Sequence, residues 1–193
     1  MAEQPPIWTV GHSNHEFDHF ANLLKGEEIE YVVDVRSFPY SRFAPQFNRD
    51  SLEARLPSLS VGYLFLGEAL GGRPTRDEHY DEDGRALYGP MSEEPLFREA
   101  LERVKAGVEK GRLALVCSEA DPTHCHRRLL VGRVLAREGL TLRHLLSDGS
   151  VKIEDEVRLG ESHNQLSLLQ EDVPWRSTQS VSHRQRLSTS SDD

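Results

Sequence analysis

Five short runs of β-branched and aliphatic residues, Ile7 to Val10, Tyr31 to Val35, Gly62 to Leu66, Leu113 to Val116 and Thr141 to Leu146, recur with helical patterns between them. Each run is too short for a buried helix and almost unbroken in apolar character, as expected of a strand covered on both faces. Helical spacing marks the intervening stretches: Phe17, Phe20, Leu23 and Leu24 within Glu16 to Leu24; a short helix near Ser51 to Leu56; Leu96, Phe97, Leu101, Val104 and Val108 within Pro95 to Val108; and Arg127 to Ala136. This alternation predicts an α/β fold, a single three-layer domain with a mostly parallel five-stranded sheet flanked by helices.

The domain is expected over residues 1–147, with a C-terminal tail over 148–193. From Arg176 onward only Val181 and Leu187 are aliphatic, too little apolar surface to offset chain ordering, and a disordered end is expected there. No run approaches the roughly 20 apolar residues that a membrane-spanning helix needs. The start Met-Ala-Glu-Gln-Pro-Pro has neither the basic opening nor the apolar run of a secretory signal, and two cysteines are too few for a disulfide framework. The expected compartment is a reducing cytoplasm. With 23 Lys and Arg against 32 Asp and Glu, the net charge of −9 argues against phosphate binding over the whole surface and leaves room for a local basic pocket.

In open parallel sheets ligands sit beyond the carboxyl ends of the strands. There the sequence is polar: Gly11-His12-Ser13-Asn14 after the first run, Asp34-Val35-Arg36-Ser37 at the second, Gly67-Glu68 after the third and Cys117-Ser118-Glu119 after the fourth. Taken singly, each has an ordinary structural reading, Asp34 as a turn cap or Cys117 as a small buried apolar residue. Together they predict a binding site on one rim. The irregular stretch from Glu68 to Glu93 is long enough to be a lid or binding loop, or a surface excursion with no role.

The densest stretch is Cys117-Ser-Glu-Ala-Asp-Pro-Thr-His-Cys-His-Arg-Arg128. Asp121-Pro122 reads as a helix start, which would place Cys125 in the first turn beside His124, His126, Arg127 and Arg128 and lower its pKa. Cys125 is therefore the first nucleophile candidate and Cys117 the second, with the alternatives that Cys125 faces the core or that Cys117, Cys125, His126 and His12 bind a metal. The C-x7-C spacing with His-Cys-His matches no closed structural zinc site. Arg36 to Arg42, followed by Phe43-Ala-Pro-Gln-Phe-Asn48, mixes arginines, aromatics and amides that can hold phosphate and stack on a base, and Arg73 and Arg76 can join the same pocket. A plain solvated loop is the alternative.

The motifs G-H-S-N, V-V-D-V-R-S-F-P-Y-S-R-F-A-P-Q-F-N, L-G-E-A-L-G-G-R and C-S-E-A-D-P-T-H-C-H-R-R, in this order, resemble the domain of unknown function 488 family over about residues 7 to 147. The resemblance implies a compact α/β domain and supplies no catalytic mechanism. Among the positions it marks are Gly11, His12, Ser13, Asp34, Arg36, Arg42, Asn48, Cys117, Glu119, Cys125, His126 and Arg127. A fainter likeness is to rhodanese-like domains, through Asp34-Val35-Arg36 and the cysteine after the fourth run. The acidic loop between Cys117 and Arg127 departs from that pattern, so sulfur transfer is an analogy of placement only.

Beyond the body, Gln165-Leu166-Ser167-Leu168-Leu169 resembles the short peptide with which bacterial replication and repair proteins dock into the DNA sliding clamp. Leu166, Leu168 and Leu169 would fill apolar pockets and Gln165 would bond the groove's edge; the alternative is a segment that packs on the domain. The expected function is binding of a phosphate-bearing ligand, nucleotide or DNA, with recruitment to DNA through the tail. Arg36, Arg42, Arg73 and Arg127 would hold phosphate, together with Gly11, Ser13 and Asn48. Cys125 or Cys117 would be the nucleophile, His126 or His12 the proton shuttle, and Asp34 and Glu119 would orient the cations. A non-catalytic nucleotide or DNA-binding module and a Cys/His metalloprotein are the alternatives, and the sequence leaves cofactor and oligomeric state open.

Overall fold

The structure is a computed structural model that describes residues 5–164 and 175–182. Six strands, β1 (Ile7–Gly11), β2 (Tyr31–Asp34), β3 (Gly62–Phe65), β4 (Leu113–Cys117), β5 (Leu142–Leu145) and β6 (Val151–Ile153), form one sheet in the order β3-β2-β4-β1-β5-β6. All neighbours are parallel except β5 and β6. Helices α1 (Phe17–Gly26) and α2 (Arg49–Arg55) belong to one face, while α3 (Gly67–Leu70), α4 (Tyr88–Glu93), α5 (Pro95–Val108) and α6 (Arg133–Arg137) cover the other.

The unbroken apolar runs follow from this layering. Along β4, Leu113 and Leu115 enter the core with Phe97, Leu101 and Val104 of α5, whereas Ala114 and Val116 enter the core with Phe20, Leu24 and Leu52. A strand whose alternate residues are all buried has no polar face to show. Pro95 starts α5 at a position that needs no backbone N–H, and the helix buries Phe97, Ala100, Leu101, Val104 and Val108 along one stripe. The stretch from Glu68 to Glu93 contains α3 and α4 and a bridge between Tyr80 and Ala86.

Two expectations about the end of the chain need correction. The fold does not stop at residue 147: β6 returns antiparallel on β5 and leads into α7 (Glu154–Asn164). The Glu154 carboxylate accepts bonds from Arg128 Nε at 2.9 Å and lies 2.8 Å from His144 Nε2, so it balances polar groups that the sheet buries. Disorder does not begin at residue 176 either, because residues 175–182 pack on the body as a strap. Trp175 Nε1 donates to the Leu129 carbonyl (2.7 Å), Tyr88 N to the Trp175 carbonyl (2.8 Å) and Ser177 N to the Ala86 carbonyl (2.8 Å). Main-chain pairing and one aromatic anchor order this segment without a hydrophobic run. Residues 165–169 and 183–193 lie outside the described residues. Among the described residues no helix is long and apolar enough to cross a membrane.

Candidate functional site

Because β4 inserts between β1 and β2, the loops leaving these three strands meet at one end of the sheet. They are fastened to each other by backbone bonds from His12 N to Cys117 O (2.9 Å) and Ser13 N to Ser118 O (3.0 Å). Gly11 permits this approach, since a Cβ there would lie 1.8 Å from the Glu119 carbonyl oxygen. Above the junction opens a cleft of about 600 Å³, walled by the loop after β2, by Gly72 and Arg73, and by strap residues 177–181.

One side of the junction is a buried polar relay. Arg36 Nε and Nη2 grip the two oxygens of Asp34 at 2.8 and 2.5 Å, and the Tyr63 hydroxyl donates to the same carboxylate at 2.7 Å. Arg36 also donates from Nη2 to the Phe47 carbonyl (2.9 Å) and from Nη1 to His12 Nε2 (2.8 Å). Four of the five guanidinium hydrogens are thereby occupied. His12 accepts at Nε2, so its proton sits on Nδ1 and is given to the Ser13 carbonyl (2.7 Å), while the ring stacks on Phe47 with centroids 4.4 Å apart. Burial first, and the Arg36 guanidinium second, push the His12 pKa down from 6.5 to about 4. Burial and the Asp34 carboxylate raise the Tyr63 hydroxyl, which stays a donor.

The floor beside this relay is formed by Cys117, Cys125 and His126. His126 Nε2 donates to the Val35 carbonyl at 2.7 Å, which turns Nδ1 toward the sulfurs, 3.7 Å from Cys117 Sγ and 4.0 Å from Cys125 Sγ. A Cβ on Gly72 would lie 2.6 Å from His126 Cγ, so the second glycine of L-G-G-R lets the loop pack on this ring. The expected order of the two thiols is reversed. Asp121 does cap at Thr123 N (2.8 Å), but only the single 3-10 turn Pro122–His124 follows it. Cys125 then adopts extended backbone, and the helical stretch starts with a π-helical segment at Arg127–Gly132. Cys125 thus precedes that segment instead of lying in its first turn: its carbonyl accepts from Leu129 N (2.9 Å) and its sulfur from the Arg127 backbone N–H. Its thiol is pushed up, mainly by burial, whereas the bond from Cys125 and then the nearby His126 and Arg127 charges hold Cys117 well below its ordinary value, against burial. Burial opposes charge on His126, but the adjoining Cys117 raises it.

Of the other expected site residues, Ser13, Arg36, Arg73 and Glu119 line the cleft with His12, Cys117, Cys125 and His126. Arg127 does not. It is fully buried and serves the loop after β4, donating to the Glu119 and Ala120 carbonyls and, from Nε, to Thr9 Oγ1 at 3.4 Å. Arg42 lies over the exposed Phe43 ring (4.8 Å) outside the cleft lining, and Asn48 Oδ1 accepts from Ser41 N (2.7 Å), closing the loop on itself. Asp34 is fully buried and accepts from Arg36 Nε at 2.8 Å. His12 is not available as a proton shuttle, because both ring nitrogens are taken, and for the same reason it leaves the metal-ligating set. Cys117, Cys125 and His126 remain as a set, with ligand-type atoms all within 4.8 Å of one another. Sequence reasoning missed Tyr63, Tyr88 and the strap; Tyr63 alone had a signal, as the one polar-tipped residue in the third apolar run.

Searches of curated proteins and of solved structures found no match to this chain. The family model described as "Domain of unknown function DUF488" matches residues 16–134, a span that holds the Asp34–Arg36 pair, the long loop and the Cys117–His126 floor. It leaves β1, β5, β6 and the strap outside the match. With more than half of its length in that span, the chain belongs to the DUF488 family.

Proposed function

We propose that the cleft binds a phosphate-bearing ligand of the nucleotide class and that chemistry on it centres on the Cys117–His126 pair at the floor. The observation that carries this reading is Arg73, which lines the same cleft as Cys117 and has no carboxylate partner among the described residues. Its charge is therefore available to an anion, unlike those of Arg36 and Arg127. Hydroxyls of Ser37, Ser41, Ser118 and Thr178 line the same cleft as neutral donors, whereas those of Ser13 and Ser177 already donate to Asn14 Oδ1 and the Gln179 carbonyl. Phe38, Tyr40 and Phe43 are exposed at 58%, 57% and 79% and offer faces on which a base can stack.

The test is calorimetric titration with nucleoside mono-, di- and triphosphates against the wild type and Arg73→Ala. A charge-assisted contact of about 1.5–3 kcal/mol predicts affinity about 10- to 100-fold weaker in the variant. Absence of binding, or equal affinity in both proteins, overturns the reading. Recruitment to DNA through Gln165 to Leu169 is the second part of the proposal. It is supported by the position of that motif between α7 and the strap, where the peptide can be presented without dismantling the sheet.

A further inference from the structure

Two thiols and an imidazole converge at the floor of the cleft, although no Lys or Arg side chain among the described residues hydrogen-bonds either sulfur. A tetrahedral ion with bonds of about 2.3 Å to sulfur and about 2.0 Å to nitrogen sets neighbouring S and N atoms about 3.5 Å apart. The His126 Nδ1 distances of 3.7 Å to Cys117 Sγ and 4.0 Å to Cys125 Sγ already approach that spacing. We propose that Cys117, Cys125 and His126 are three ligands of a borderline-soft divalent cation, zinc foremost, whose fourth position opens on the cleft. The proposal rests on the preceding reading only in taking the cleft as the place where a ligand would meet that position.

The surroundings of the three ligands agree with this assignment. A metal-binding histidine typically gives its other ring proton to a carbonyl or carboxylate, which fixes the tautomer and aims the free lone pair at the ion. His126 does this with the Val35 carbonyl at 2.7 Å, and close packing of Gly72 on the ring limits its rotation. The backbone N–H of Arg127 bonds the Cys125 sulfur, a contact that suits a thiolate better than a thiol. The thiolate and imidazole donor set selects zinc or iron over magnesium or calcium, which require oxygen ligands. Binding releases the thiol protons to solvent and leaves two thiolates neutralising one divalent ion.

Three protein ligands with an open position is the arrangement of a catalytic rather than a structural site, which accounts for the poor match of the C-x7-C spacing to closed zinc sites. A second acidic and histidine group provides a contrast. Around Glu78, His79 and Glu94, Arg76 already lies 3.2 Å from Glu78 and 2.6 Å from Glu94, so the charge is balanced by the protein itself.

The full-length protein, purified without chelators, is expected to carry about one zinc or iron per chain by elemental analysis. Stripped and refilled with cobalt(II), it should show sulfur-to-cobalt charge-transfer absorption and the strong d–d bands of a tetrahedral ion. Cys125→Ser and His126→Ala should cut metal content to less than about a tenth of the wild-type value, with circular dichroism reporting whether each variant folds. The wild-type cobalt spectrum decides the matter even if neither variant folds. Cobalt that leaves the near-ultraviolet spectrum unchanged while both thiols titrate as free overturns the proposal, as does a Cys117–Cys125 disulfide in the freshly purified, metal-free protein. Nucleotide titration of the metal-loaded protein separates the two readings: metal without nucleotide binding overturns the ligand reading alone, and nucleotide binding to a protein that takes up no metal overturns this one alone.

Discussion

Acidification should unfasten this protein through His12 before its carboxylates titrate. In the folded state the imidazole is neutral, with Nε2 accepting from Arg36 Nη1 at 2.8 Å and Nδ1–H donating to the Ser13 carbonyl at 2.7 Å. A proton on Nε2 would break the first bond and bring two cations together in a buried site. Its pKa is thus lowered from 6.5 to about 4, whereas the unfolded chain protonates near the ordinary value. The folded pKa is depressed, so the unfolded state binds more protons between these two values. Stability falls as the pH drops from about 6.5 to about 4 and then levels off. At pH 5 the difference amounts to about 2 kcal/mol, or about 4–8 °C in Tm for a chain of this size. Denaturant unfolding at pH 7 and pH 5 should be compared between the wild type and His12→Gln, which keeps an acceptor for Arg36 but does not titrate. The wild type should lose about 2 kcal/mol more than the variant, whatever stability the variant has at pH 7. Equal losses would refute the assignment of His12 as a neutral acceptor locked by Arg36.

Three further outcomes follow from the same geometry. Gly11→Ala should destabilise the fold by at least about 2 kcal/mol in denaturant unfolding, because its Cβ meets the Glu119 carbonyl and the loop after β4 must move to admit it. Trp175→Ala removes the bond to the Leu129 carbonyl and the stacking of Arg133 and Arg137 over the indole at 4.8 and 4.9 Å. It should speed amide exchange at Tyr88 and Ser177 about 30-fold, while exchange in β4 stays unchanged. Calorimetry against a bacterial sliding clamp should give micromolar binding that disappears when Gln165, Leu168 and Leu169 are replaced by alanine; no binding by the wild type removes the DNA-recruitment part of the proposal.

The body of the fold was legible because parallel strands buried on both faces appear in sequence as unbroken apolar runs, and all five runs became strands in the sheet. The sixth strand was not, since Val151–Ile153 is three residues long, lies on the edge and exposes Lys152 and Ile153. The strap defeated composition for a different reason. Its order comes from Ser177 and Trp175 pairing with Ala86 and Tyr88, partners far away along the chain, and pairing of backbone groups leaves no mark on residue type.

At the site, the rule that ligands gather beyond the strand ends found the residues but not their standing. Arg36, Arg42, Arg73 and Arg127 are alike in a sequence, and the decisive question is how much of each guanidinium the protein has already used. Arg127 adjoins His126 and was expected in the pocket, yet the helical stretch it begins turns it onto the Glu119 and Ala120 carbonyls. Arg36 is neutralised by Asp34 at 2.5 Å. Of these four, Arg73 alone lines the cleft without a carboxylate partner among the described residues, and it lies on the stretch between β3 and α5 that had the least regular pattern of all. The same reasoning inverts the cysteines: Cys125 was favoured for a helix terminus, whose Arg127 N–H does reach its sulfur, but burial and the adjoining Cys117 push its thiol up, while Cys117, at the end of a buried strand, receives the neighbours that stabilise a thiolate. Residue type marks where charge can be placed, but burial and partners decide which charge remains to be spent on a ligand. Under the proposed function, specificity in this cleft rests on the Arg73 loop and on the strap, which lies outside the span matched by the family model.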